Sequence, residues 1–490
     1  MTVPSNAPAP SGPLAGLRVL DISTVVTATT PKVRIDRLGV AINKIVQSPD
    51  IVEKFGNLGA IPRSEGPMEF GAFLANEDAR WSAVVKASGV RIERCAGSRS
   101  GIFPVLTLRV LRRGTIGGTF ELRSNVAAKY EFRGTSMAAT RIDCDIHPAV
   151  GGTRTTLLPY LDDHWKEQVV SRAIDGLDLT SYPPNMPLSG RSDWRPANGD
   201  KPGSDLAMLQ HGAFDQLGAS HAICNVLYGA QAVFDPYMAS AFCKAINDWI
   251  ATEWLARDPR LRASIVVPMQ APDLAIEEIE RRAGDNRFVS VLVLAQGESL
   301  LGRRLYWPVY HVAEKHKLPI AIHAGSQYRG APSSIGWPSY RYEYYLAEAQ
   351  AFQAQVLSLI YEGVFVKFPG LKVVLMESGV SWLPAFMWRA NKTWRGVRVE
   401  VPWIDREPAT IMRDHIRLTT QPFDSPPDAA GVADIIDMIG SDKMFLFASD
   451  YPHWQFDGDD AIPPHLPASL VSRMCADNPL ETFPRLSLAA

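Results

Sequence analysis

The chain has 490 residues, 46% apolar and 21% charged, with a formal net charge of −2. That balance belongs to an ordinary soluble globular protein, and nothing global in it suggests nucleic acid or an anionic membrane as a partner. Five scattered cysteines (Cys95, Cys144, Cys224, Cys243 and Cys475), none in CxxC spacing, exclude a disulfide framework and point to a reducing, cytoplasmic setting. The opening MTVPSNAPAPSGPLAG lacks a basic segment followed by an apolar run, and the best apolar run, GIFPVLTLRVL, is far too short to span a membrane.

The chain changes character near residue 138. Upstream, three pieces follow one another. The opening SGPLAGLRVLDIS resembles the start of family III CoA-transferases. The stretch from TTPKVRIDRLGVAINKIVQSPDIVEKFGNLGAIP to FGAFLANEDARWSAVVKASGVRIE resembles the C-terminal end of tripartite tricarboxylate transporter substrate-binding proteins. Residues 95–138 carry six arginines and one lysine against Glu121 and Glu131, and read as a poorly ordered linker. A truncated fragment cannot enclose a solute, so residues 1–94 are expected to be a fusion-like piece with no activity of its own.

Downstream, apolar runs rich in Val, Ile and Leu alternate with amphipathic segments. Strands are predicted at 141–147, 221–227, 261–267, 289–294, 318–323, 371–377, 415–420 and 444–450. Nearly continuous apolar strands separated by helices mean a parallel sheet covered on both faces. Eight of them over residues 139–490 predict an α/β fold, a (β/α)₈ TIM barrel, with a doubly wound open sheet as the alternative. The long first connection, 148–220, is rich in Pro, Gly and Ser and reads as an insertion over one mouth of the barrel.

Catalytic groups of such a barrel sit where the strands run out. Strand 1 ends in DCDIHP, which puts Asp145 and His147 on the same face two residues apart. Strand 5 ends in IAIHAG with His323, strand 6 in VVLMESG with Glu377, and strand 8 in LFASDYPH with Asp450. Each alone has an ordinary reading: a turn cap, a satisfied core histidine, or a pairing of Glu377 with Arg389. Together, two aspartates, two histidines and a glutamate aimed at one axis are costly to bury unless paired or bound to a metal. Imidazole with carboxylate suits Zn²⁺ first, then Mn²⁺ or Fe²⁺, and Cys144 points to the opposite face.

IDCDIHP, LPIAIHAG, FPGLKVVLMESGVSWLPAFMWRANKTW and FASDYPHWQFD, in that order, resemble the amidohydrolase superfamily over residues 139–485. The closer resemblance is to its amidohydrolase-related branch, which includes aminocarboxymuconate-semialdehyde decarboxylase and γ-resorcylate decarboxylase. The resemblance implies a distorted barrel holding one divalent ion, with Asp145, His147, His323 and Asp450 as ligands. Two departures stand out. The first ligand in that branch is often His or Glu where this chain has Asp145, and the strand-6 position commonly holds His where this chain has Glu377.

A divalent ion in that setting activates water or polarises a substrate oxygen. The expected activity is therefore a metal-dependent hydrolase or nonoxidative decarboxylase of a small aromatic or cyclic organic acid. Glu377, His453 and Asp450 are the catalytic candidates, Glu377 standing equally well as acid/base or as a further ligand. Arg329, Trp337 and Trp454 are the substrate-binding candidates, a cation and aromatic walls suited to a planar acid. For Arg329 a loop salt bridge weighs equally, and for Tyr344 a place in the helix core. A metal-independent lactone hydrolase and an inactive fusion product are the alternatives. No nucleic-acid or membrane partner is expected, and analogy with the family implies a homodimer.

Overall fold

A computed structural model describes residues 140–486, except 178–182, 184–190, 334–335 and 454–459, together with residues 48–49. The chain divides between Glu131 and Phe132. The readings made for residues 1–94 and 95–138 lie outside the described residues, that single pair apart.

Eight parallel strands follow one another in sequence order: β1 Ile142–Ile146, β2 His221–Cys224, β3 Leu261–Val266, β4 Phe288–Gln296, β5 Ile320–Ser326, β6 Val373–Met376, β7 Ile416–Thr419 and β8 Phe445–Leu446. An open doubly wound sheet would reverse its order at a switch point; this one never does. Instead its two ends meet. Cys144 N–H donates to the Phe447 carbonyl at 2.9 Å, Asp450 N–H to that of Asp145 at 3.1 Å, and His147 N–H to that of Tyr451 at 2.7 Å. The result is the predicted (β/α)₈ barrel, with all eight strands buried because helices cover the outside.

The helices begin where the sequence supplies caps. Asp235 accepts from the N–H groups of Tyr237 and Met238 at the start of α2 (Pro236–Ile250), just as Asp162 caps α1 (Asp163–Ser171). Proline at the first position of α2 and of α3 (Pro272–Arg282) fits because that N–H has no helical partner to lose. Among the described residues no helix is long and apolar enough to cross a membrane.

Several strands differ from the predicted spans, β2 for one ending at Cys224 rather than at 227, and two of the differences bear on the site. β5 does not stop at His323 but continues to Ser326, pairing Gln296 with Ser326 beyond an irregularity in register. β8 is only two residues long, and the chain from Phe447 to Tyr451 leaves ladder geometry while still bonding to β1. Both departures lie at the C-terminal rim, where side chains must be turned inward at the expense of regular pairing.

The first connection is more structured than its composition implies. It holds α1, short helical turns at Thr153–Leu157 and Leu206–Leu209, and a segment packed onto the rim. Trp194 meets the Tyr451 ring with centroids 4.7 Å apart, and Ala149 N–H donates to the Gly203 carbonyl at 2.9 Å. Gly203 has φ +81°, and a Cβ there would collide with the His147 carbonyl oxygen. Gly203→Ala should therefore cost about 1–3 kcal/mol of stability in urea unfolding. An unchanged midpoint would show that this contact is slack.

Candidate metal centre

The side chains expected at the strand ends meet at the C-terminal mouth of the barrel. Asp145 is the fourth residue of β1, and His147 is the first residue past its end. His147 Nε2 lies 3.3 Å from Asp145 Oδ1, 3.0 Å from Asp450 Oδ1 and 3.8 Å from Glu377 Oε1. His323 Nε2 lies 3.2 Å from Glu377 Oε1 and 3.6 Å from Asp145 Oδ2. The donor atoms fall into two overlapping sets. Asp145, His147, His323 and Glu377 form one, and His147, Glu377, Asp450 and His453 the other, with separations within each of at most 4.8 Å. His147 and Glu377 belong to both.

Backbone conformation aims two of these groups. Glu377 follows β6 at φ +59°, and Asp450 follows β8 at φ +57°. Non-glycine residues reach the left-handed region only at a cost, and such outliers cluster where function needs them. Glu377 N–H is held by Thr419 Oγ1 at 3.2 Å.

The imidazoles are turned by their far nitrogens. His147 Nδ1–H donates to the Asn225 carbonyl at 2.8 Å, and His323 Nδ1–H to the Ala324 carbonyl at 2.8 Å. In the neutral form of each ring, Nε2 is thereby left with its lone pair facing the cluster. Neither Nε2 makes a hydrogen bond of acceptable geometry, although carboxylate oxygens surround both, and Asp145 Oδ2 is likewise buried without a partner. Buried polar atoms are rarely left this way. Three such atoms facing one point, among three carboxylates, fit a divalent cation with mixed imidazole and carboxylate donors.

The electrostatics agree. Burial opposes charge on His147, but the carboxylates of Asp145 and Asp450 outweigh it and lift the imidazole to about 9. For His323 burial is likewise outweighed, by Glu377 and Asp145, and its affinity for a proton rises well above normal. Asp450 is also buried, yet His453 and His147 hold it well below the ordinary carboxylate range. A proton thus takes the place a cation would fill.

The other expected residues are more scattered. His453 Nδ1 is 3.0 Å from Asp450 Oδ1, and its ring stacks on His147 with centroids 4.8 Å apart. Arg329 donates to Glu298 Oε1 and the Val233 carbonyl, both at 2.9 Å, and lies over the Phe234 ring; its Nη1 is buried with no partner. Trp337 is half exposed, and Trp454 lies outside the described residues. Tyr344 is not a wall of the site: it is buried in α4 (Arg341–Tyr361) and donates to Glu348. Its neighbour Tyr345, which sequence reasoning passed over, reaches Glu377 Oε2 at 3.4 Å. A helical stripe gives no sign of which adjacent tyrosine turns to the rim. A cavity of about 630 Å³ between α1, α2 and α3 contains none of these groups.

These shifts carry a stability signature. A cation-forming group raised from 6.5 to about 9 on folding contributes stability that is complete below the lower value and lost as pH climbs through the upper one. Chelator-treated protein should therefore lose on the order of a few kcal/mol between about pH 6.5 and 9.5. Added divalent ion should abolish the loss. Denaturant unfolding at both pH values reads it, and a flat profile without ion would contradict it.

The amidohydrolase family model matches residues 142–485. A γ-resorcylate decarboxylase from a Rhizobium species is 28% identical over 286 residues, covering 52% of this chain and 83% of that protein. Its counterpart from a Polaromonas species is 27% identical over 245 residues, covering 46% and 71%. Among solved structures, an amidohydrolase from Mycobacterium avium subsp. paratuberculosis matches with a TM-score of 0.53 at 18% identity, covering 71% of this chain and 100% of that one. A 5-carboxyvanillate decarboxylase from Novosphingobium aromaticivorans, complexed with manganese and 4-hydroxy-3-methoxy-5-nitrobenzoic acid, matches at 0.50 with 16% identity, covering 70% and 96%. A family model spanning well over half of the sequence, on a barrel with these groups at its mouth, settles the matter: the chain belongs to the amidohydrolase family.

Proposed function

We propose that this protein is a metal-dependent nonoxidative decarboxylase of a hydroxylated aromatic acid. The observation that carries the reading is the convergence of His147 Nε2, His323 Nε2 and Asp145 Oδ2, all buried and unpartnered, on one point. The ion would be held by Asp145, His147, His323 and Glu377, with Asp450 at the edge of the set. A donor set this rich in carboxylate favours Mn²⁺ over the Zn²⁺ expected from sequence, and the Novosphingobium relative holds manganese. When bound, such a cation would supply a positive centre that grips and orients an acid's carboxylate and neighbouring oxygen.

The protein's own groups then handle the proton. Decarboxylation of an aryl acid forms a C–H bond at the ring carbon and breaks its bond to the carboxyl carbon; the electron pair returns to the ring as CO₂ departs. On this reading His453 is the donor. Asp450 binds its Nδ1 and fixes the ring, so Nε2 is the working nitrogen. Its side chain is 22% exposed, against 5% for His147, so it alone of the three clustered imidazoles can recover its proton readily from solvent. Glu377 is spoken for by the two imidazoles and by Tyr345, which favours its role as ligand over that of acid. On this reading Arg329 and the ring of Trp337 meet the substrate's anionic and planar parts. The same reading keeps the protein as a cytoplasmic homodimer acting on a small acid, on family analogy.

The test separates holding the ion from moving the proton. With 2,6-dihydroxybenzoate and 5-carboxyvanillate as probes, manganese-loaded protein should release CO₂ and lose that activity to chelator. Asp145→Asn should lose both metal and activity. His453→Gln should keep its metal while turnover falls about 10²–10⁴-fold. Lactone ring opening that survives chelation would overturn the proposal.

A further inference from the structure

Asn225, the residue after β2, touches two of the proposed ligands at once. Its side-chain Nδ2–H donates to Asp145 Oδ1 at 2.8 Å, and its backbone carbonyl accepts from His147 Nδ1–H at 2.8 Å. It is fully buried. Behind it Ser264 Oγ–H donates to Asn225 Oδ1 at 2.5 Å, and Ser264 and Ser290 share a bond of 2.7 Å. Those serines face each other in the β3–β4 register and are buried too.

The direction of this line follows from proton counting. An amide oxygen can only accept, so Ser264 must spend its one hydroxyl hydrogen on Asn225 Oδ1. It must then accept from Ser290. The order is Ser290 to Ser264 to Asn225 to Asp145, every dipole pointing its positive end at the carboxylate. Such aligned chains reinforce one another in a low-dielectric interior. The flipped amide would set oxygen against carboxylate and leave Ser264 facing an NH₂ group, so the line fixes one orientation. Oδ1 of Asp145 is thereby tied down, and Oδ2 is the oxygen left without a partner.

We infer that Asn225 is a positioning residue that makes Asp145 a one-oxygen ligand through Oδ2 while turning His147 Nε2 to the same ion, and that Ser264 and Ser290 act only through it. The inference rests on the metal reading above. Neither the amide nor the serines touch the ion or the substrate. Their effect is on the affinity of the site, as expected of groups that hold ligands in place.

Manganese affinity of the full chain, measured by calorimetry after chelator treatment, tests it. Asn225→Leu should weaken binding about 10–100-fold. Ser264→Ala, which removes one buried oxygen, should weaken it less, and the double variant no further than Asn225→Leu alone. Thermal unfolding in chelator checks that each variant folds; should Asn225→Leu not fold, Ser264→Ala and Ser290→Ala carry the test, their combination equalling the stronger single effect. Wild-type affinity in Asn225→Leu, or strictly additive losses, would overturn the inference while leaving the metal reading intact. A wild-type chain that binds no manganese, like an Asp145→Asn control, would overturn both.

Discussion

Three carboxylates buried within hydrogen-bonding distance of two imidazoles are the constraint to which the rest of the barrel mouth answers. In a low-dielectric interior like charges this close repel strongly, and each ion loses its hydration. Unless something positive sits among them, the cluster works against folding. Protonated imidazoles meet part of that demand, which is why both histidines cling to their protons. A divalent cation meets it better, and three of the atoms that would bind one are left without partners.

That demand accounts for features that otherwise look like faults. Glu377 and Asp450 take up a costly backbone conformation, and β8 gives up its ladder after two residues. These departures sit on the strands that feed the cluster, and each turns a carboxylate inward. Gly203, crowding the His147 carbonyl from the first connection, shows the inserted segment serving the same rim. Deeper in the barrel, Asp143 bonds to the N–H groups of Ser449 and Asp145 and so ties the seam to the strand that carries the site. Burial lifts Asp143 to about 7.

Much of this was legible in the sequence because strand period and strand ends are local properties. Eight apolar runs set the order of the barrel, and four of them close on the candidate ligands: one on Asp145 and His147 together, the others on His323, Glu377 and Asp450. What escaped is non-local. Asn225 lies inside the run predicted as strand 221–227, and nothing in its neighbourhood reveals that it touches both Asp145 and His147 at the end of the adjacent strand. The choice of Tyr345 over Tyr344 depends on the rotation of one helix against the rim. Arg329 shows the limit from the other side. Its sequence context left a substrate contact and a loop salt bridge equally weighted; the structure gives it Glu298 as a partner yet leaves one nitrogen unused.

The central claim is that one ion completes this centre. Anomalous diffraction at the manganese edge from crystals grown with Mn²⁺ tests it most directly. A single peak bonded to His147 Nε2, His323 Nε2 and Asp145 Oδ2 is the expected result. No peak there, with those nitrogens bonded instead to neighbouring carboxylates, would contradict it.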